Sequence, residues 1–265
     1  MQTHVSFSKE SDVGYLTFAC EVDGKPTTLD LEVLGEFDGL LDEIADRNEG
    51  LRAVVVRSSS KKYFVVGANV NALEGLAVET IIPWVQKGHD VFNKLEDLRV
   101  PVIARVEGFA LGGGLELAMA CDLIAAGEGA RFGQPEAKLG FVPGWGGSYR
   151  LPRRVGVGKA RELCFTGKVI EAEEARSLGL VDFAGADVDG CIEGWIEGIG
   201  QGSRVAISEM KRLLRDSQGM SREESGVREG ESSRACMVEG DTLERIREFL
   251  ESRHRSPPLV ERRAI

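Results

Sequence analysis

Residues 103–122 read IARVEGFALGGGLELAMACD, and the order of residue types in this stretch decides the fold class. Its start continues an apolar run, Val102 to Val106, of the kind that forms a buried strand. Three consecutive glycines follow, Gly112 to Gly114, and from Gly112 onward Leu115, Leu117, Ala118 and Met119 open a helix with Glu116 near its first turn. Outward from this unit the alternation repeats. Upstream, Val13 to Ala19 reads as a strand, and Leu29 to Ala45 carries Leu31, Leu34, Leu41 and Ile44 at helical spacing. Leu51 to Arg57 (LRAVVVR) is a second strand, and Thr80 to Leu98 forms an amphipathic helix through Ile81, Val85, Val91, Phe92 and Leu95, which Pro101 stops. Downstream, Asp122 to Ala126 (DLIAA) is a further short strand. Strand and helix in alternation predict an α/β fold, a parallel sheet with covering helices.

After about residue 195 helical patterns dominate, at Ala206 to Leu214 and Asp241 to Arg253, with a polar, glycine-punctuated stretch from Gln218 to Glu231 between them. The chain is therefore divided into a core over residues 1–195, which carries the site, and a helical appendage over residues 196–265. So short a tail with few aromatics buries little core alone and is of the kind that packs on a partner subunit.

Composition sets the boundaries of function. With 42% hydrophobic and 29% charged residues the chain has an ordinary globular balance, and its apolar runs are too short to span a bilayer. Met1 to Glu10 lacks the basic-then-apolar order of a leader, so a cytoplasmic location is expected. A net charge of -10 repels nucleic acid and anionic membranes, which are not expected as partners. Basic residues gather only locally, at Arg150, Arg153, Arg154, Lys159 and Arg161 and again at Arg253, Arg255, Arg262 and Arg263, where they either meet ligand phosphates or are solvated surface charge. Five scattered cysteines without a CxxC, and three scattered histidines, point to neither a disulfide framework nor a metal site. Proton chemistry then falls to carboxylates.

Three segments carry candidate chemistry. In GGGLE the unpaired N–H groups at a helix start attract negative charge, and glycine lets a ligand approach them; the same glycines also suit a plain strand-to-helix turn. In FGQPEAKLGFVPGWGG, residues 132–147, Glu136 precedes an apolar glycine-rich loop, where desolvation raises a carboxyl pKa; an acid after proline is also an ordinary helix start. In YFVVGANVNAL, residues 63–73, Gly67 and Ala68 read as a loop whose N–H groups either face a substrate or belong to a plain connection.

In this order, FVVGANV, then EGFALGGGLELAMACDLIAA, then FGQPEAKLGFVPGWGGSYRLPRRVG, the chain resembles the crotonase (enoyl-CoA hydratase/isomerase) superfamily, continuously from about residue 51 to 182. The phrasing is closest to the hydratase portion of bacterial multifunctional fatty-acid oxidation proteins. The resemblance implies a crotonase-like ββα spiral core and a C-terminal helical trimerisation region. It implies an oxyanion hole from the N–H groups of Ala68 and Gly113, and Glu116 and Glu136 as the catalytic pair. It also implies an enoyl-CoA hydratase working in β-oxidation, a hydro-lyase without a cofactor beyond the coenzyme A of its acyl-CoA substrate, assembled as a homotrimer or a hexamer (dimer of trimers). Isomerisation of an enoyl-CoA, or hydration of a dienoyl or cyclic acyl-CoA, remains the alternative, and an RNA-binding use of the fold is a more distant one. Gly67 and Gly112, Trp145, Phe141 and Leu73 for the acyl group, and Lys62 toward the coenzyme are the substrate-binding candidates; Trp84 is a further acyl-pocket candidate. Trp145 either narrows the acyl pocket or only covers the core. Two departures stand out: Asn69 replaces the family's usual aspartate after Gly67-Ala68, and CEVDGKPTTLD replaces the usual N-terminal coenzyme-wrapping phrase.

Overall fold

The computed structural model describes residues 2–46 and 50–255, with side chains described up to residue 253. The chain folds as two compact units, Met1–Gly200 and Gln201–Ile265.

The first unit is built on a six-stranded sheet in the order β1 (Thr3–Glu10), β2 (Val13–Cys20), β3 (Ala53–Ser58), β5 (Val102–Val106), β7 (Leu123–Ala126), β10 (Phe183–Ala184). Only the β1–β2 hairpin is antiparallel. The apolar runs are explained by burial on both faces. Val54, Val56, Val102, Ala104 and Ile124 face the main core, where α1 (Leu31–Asp46) and α3 (Ile81–Asp97) add Phe37, Leu41, Val91 and Phe92. Ala53, Val55, Ile103 and Ala125 face the opposite way, onto Val188 and Ile192 of α7 (Val188–Gly200).

A second, four-stranded sheet positions the site: β4 (Tyr63–Val65), β6 (Phe109–Leu111), β8 (Arg131–Gly133) and β9 (Val169–Glu171). β4, β6 and β8 run parallel. Their carboxyl ends therefore open on the same side, the usual place for a ligand in a parallel sheet. Each is followed by one of the three segments singled out above. β4 leads to Gly67-Ala68 and α2 (Val70–Glu74), β6 to Gly112 and α4 (Gly113–Met119), and β8 through Gln134 to a 3₁₀ turn at Glu136–Leu139. The chain then enters α5 (Gly147–Thr166), kinked at Gly156, and α6 (Ala172–Ser177).

Several expectations are corrected. The helix expected from Leu29 starts at Leu31, because Asp30 Oδ1 accepts the N–H groups of Glu32 and Val33 while Leu29 bridges to Ala68. The stretch 218–231 is largely helical: after α8 (Arg204–Asp216) in the second unit comes α9 (Arg222–Glu239), then α10 (Thr242–Arg255). Its helix start is a capping box in which Ser221 and Glu224 satisfy each other's backbone N–H groups, a local signal strong enough to outweigh Gly226 and Gly230. β1 and α5 had no counterpart in the sequence pattern. Among the described residues no helix is long and apolar enough to cross a membrane. Arg262 and Arg263 lie outside the described residues.

Candidate active site

The glycine turn after β6 is dictated by sterics. Gly112 has φ 53°, a region that L side chains rarely enter, and its N–H donates to Gly133 O at 2.9 Å. Gly114 lies so close to β4 that a Cβ would stand 1.8 Å from Val65 O. The two glycines set the first residues of α4 against the 67–69 loop, where a Cβ on Gly67 would lie 3.6 Å from Gly113 N. In that loop Leu29 N–H donates to Gly67 O and Asn69 N–H donates to Leu29 O, at 2.9 and 2.8 Å. Ala68, which forms an isolated parallel bridge with Leu29 between these two bonds, lines the cleft. Gly113 N–H belongs to the first turn of α4, which has no intrahelical partner to offer it. Ala68 and Gly113 thus border one opening. Asn69 takes up the capping work at this loop, its side chain accepting Asn71 N–H at 3.1 Å, so the departure from aspartate leaves the turn intact.

Glu116 sits one turn into α4 and is 2% exposed. Its Oε1 accepts two backbone N–H groups, from Trp145 at 2.9 Å and Gly147 at 2.7 Å. Burial pushes its pKa up to about 7; the Glu136 carboxylate adds to the rise, while the two N–H groups and the Arg150 guanidinium oppose it. Glu136 opens the 3₁₀ turn after Pro135, with Oε1 held by Gln134 Nε2 at 2.8 Å. Its Oε2 is buried without a hydrogen-bond partner among the described residues, the condition of a carboxyl better suited to carrying a proton than a charge. Burial raises this pKa also, against the pull of its own N–H and of Gln134.

Gly67, Ala68, Leu73, Gly112, Gly113, Glu116, Glu136, Phe141 and Trp145 all line one cleft, and Trp84 joins them. Lys62 does not line it: it is exposed at the start of β4 with Nζ 5.1 Å from the Tyr63 ring centroid. Trp145 is 1% exposed, tilted against Trp84 at 4.6 Å between centroids and edge-on to Phe92 at 5.7 Å. Its indole is core that also forms a wall of the cleft. Phe141 stands at the opening with Val70, Leu139 and Val142, all exposed and apolar.

Sequence reading missed Gln134, which holds Glu136, and the group formed by buried Arg150 with Glu96 and Asn93, in which the guanidinium reaches both α3 side chains and Trp145 O. Arg150 is therefore not free for ligand phosphates, nor is Arg154, which is spent on Asp182 and on the carbonyls of Leu180, Cys121 and Asp122. No spacing signals such burial; only the preceding glycines, which let the guanidinium approach, hint at it.

Comparison with known proteins decides the family. The family described as enoyl-CoA hydratase/isomerase matches residues 24–254. The chain belongs to the enoyl-CoA hydratase/isomerase family. It is 41% identical over 182 residues to the short-chain-enoyl-CoA hydratase of Clostridium acetobutylicum, which covers 68% of this chain and 67% of that one. The enoyl-CoA hydratase structure from Bacillus anthracis superposes with a TM-score of 0.86 at 29% identity, over 94% of this chain and 96% of the other. A Geobacillus kaustophilus structure of the same description gives 0.88 at 27% identity, over 97% and 96%. This family member has the crotonase-like α/β fold with a helical C-terminal region that the sequence led us to expect.

Proposed function

We propose that the protein is an enoyl-CoA hydratase, a hydro-lyase that adds water across the 2,3 double bond of an enoyl-CoA thioester to give a 3-hydroxyacyl-CoA. The observation that carries this reading is the pair of carboxyl groups, Glu116 and Glu136, in one cleft beside two amide donors, each carboxyl pushed upward by burial. Two carboxyls that titrate nearer neutrality can divide a proton delivery from a proton removal.

In this mechanism the thioester oxygen lies between the N–H groups of Ala68 and Gly113, which stabilise the enolate charge; one such donor is typically worth roughly 3–4 kcal/mol of barrier. Glu116, ionised, orients a water and takes its proton as the oxygen bonds to C3. The π electrons move onto C2 and the carbonyl, and Glu136, protonated, delivers its proton to C2. One water is added in all, and a proton passing from Glu116 to Glu136 through solvent restores the starting state. Support for the acyl subsite comes from Leu73, Phe141 and the Trp145 wall.

A homotrimer or a dimer of trimers is the assembly we propose, supported by apolar side chains exposed along the second unit, among them Met210, Leu214, Val238, Ile246, Phe249 and Leu250. The reading is tested with crotonyl-CoA, following the loss of the conjugated enoyl absorbance and identifying 3-hydroxybutyryl-CoA by mass. Hydration is expected. No hydration at micromolar enzyme, or only migration of the double bond in a 3-enoyl-CoA, contradicts it.

A further inference from the structure

Glu116 does not hold its own position. Both of its hydrogen bonds come from the turn 145–147, and a turn with Gly146 at φ 112° has no intrinsic reason to keep two N–H groups aimed at one oxygen. What holds that turn is on its far side. Arg150, on the first turn of α5, is 3% exposed, and its Nη1 donates to Trp145 O at 2.9 Å. The rest of the fork is fixed from α3: Nη2 and Nε donate to Glu96 Oε2 at 2.6 and 3.1 Å, and Nη2 donates to Asn93 Oδ1 at 2.8 Å. The turn is shaped for this grip, since a Cβ on Gly146 would lie 2.1 Å from Nη1. The guanidinium makes four hydrogen bonds here, from three nitrogens in one plane; an ammonium has three N–H groups on a single nitrogen and cannot reproduce that spread.

We propose that Arg150 is a positioning residue of the reaction: held by Glu96 and Asn93, it fixes the carbonyl of Trp145 and so keeps the N–H groups of Trp145 and Gly147 aimed at the carboxylate of Glu116. This rests on the reading of Glu116 as a catalytic group. The chain of contact runs from α3 through the guanidinium to the turn and then to α4, so a change at Glu96 reaches the reacting water without touching substrate. Arg150 also places a positive charge near Glu116, opposing the effect of burial.

The test compares the parent with Arg150→Met, Arg150→Lys and Glu96→Gln, using enzyme whose folded fraction is measured by circular dichroism. In Arg150→Met, kcat for crotonyl-CoA is expected to fall about 10- to 100-fold, the scale of a misplaced catalytic group, with KM within about threefold. Arg150→Lys regains part of the loss, and Glu96→Gln shows the same kcat-only pattern at smaller amplitude. A kcat within threefold of the parent in folded Arg150→Met, or kcat and butyryl-CoA affinity falling together, overturns the proposal. If Arg150→Met does not fold, Glu96→Gln decides by the same criteria.

A second readout is independent of turnover: the carboxyl ¹³C titration of Glu116, assigned with Glu116→Gln. Acting on Glu116 are Glu136 from the 3₁₀ turn and Arg150 from α5, with Cys164 of α5 also within its field; the one titratable side chain of β4, Tyr63, lies against Phe109, and β6 has none. Loss of the guanidinium and of the aimed N–H groups raises the Glu116 midpoint. An unchanged midpoint in Arg150→Met overturns the clamp whatever the activity. A parent inactive on crotonyl-CoA refutes the hydratase reading alone, since the titration then still judges the clamp.

Discussion

Glu116 is ionised at a cost that its neighbours only partly offset. Its folded pKa of about 7, against an ordinary value of 4.5, means that between those two pH values the folded protein holds a proton that the unfolded chain has released. Stability therefore falls as pH rises through that window, and the deficit above it is on the order of 3 kcal/mol. A glutamine keeps an oxygen for the two N–H groups and removes the charge. Glu116→Gln is thus expected to unfold at higher denaturant than the parent at pH 8 and to lose that advantage at pH 4.5; an equal gain at both pH values contradicts the account. The same ionisation governs the reaction. In the mechanism proposed, kcat/KM for hydration declines below about pH 7 as Glu116 is protonated, and a pH–rate profile flat from pH 5 to 8 would speak against it. The two glutamates were singled out only through the resemblance that GGGLE and GQPE carry in their order; each alone also suited an ordinary helix start. Arg150 was not, because nothing distinguishes one buried arginine from the basic residues around it until Glu96 and Asn93 are brought across from α3.

Among the elements, α3 and α4 are spaced by an aromatic ring. A Cβ on Gly88 would lie 2.1 Å from Trp145 Cδ1 and Nε1, and one on Gly113 would lie 2.5 Å from Trp145 Cζ3. The indole fills the space that two glycines leave, one of them in the middle of a helix where alanine is ordinarily better by about 1 kcal/mol. Gly88→Ala is expected to reverse that preference and destabilise by roughly 1–3 kcal/mol through overpacking, with a change in tryptophan near-UV dichroism; a more stable variant with an unchanged spectrum contradicts this packing. In the second unit, Ser221→Ala removes the cap of α9 and costs about 1 kcal/mol of helix stability, measured by hydrogen exchange across Arg222 to Ser225. Elements with an apolar period were readable: β5 spans Val102–Val106 as its β-branched run indicates, and α3 stops before Pro101. α9 was not, because its apolar residues follow no helical stripe and its evidence is a cap of two polar residues. Lys62 lies five residues before Gly67, at the other end of β4 from the cleft.

At the scale of the whole molecule, Ala68, Gly113 and Glu136, 45 and 23 residues apart in sequence, become one site because β4, β6 and β8 are parallel neighbours with aligned carboxyl ends. The large sheet supplies the buried core against which that smaller sheet is fixed, and both faces of its strands are consumed in doing so. In the assembly proposed above, the apolar side chains exposed along α8 to α10 are buried between subunits. Light scattering is expected to give three or six times the 28.8 kDa chain mass, and a monomer at micromolar concentration contradicts it. The central claim, that Glu116 and Glu136 together hydrate an enoyl-CoA, is tested most directly by the steady-state hydration of crotonyl-CoA by Glu116→Gln and Glu136→Gln beside the parent. Each variant is expected to lose kcat by about 100-fold or more while still binding butyryl-CoA, in line with the contribution of a positioned acid or base. Near-parental turnover in either variant would contradict the pairing.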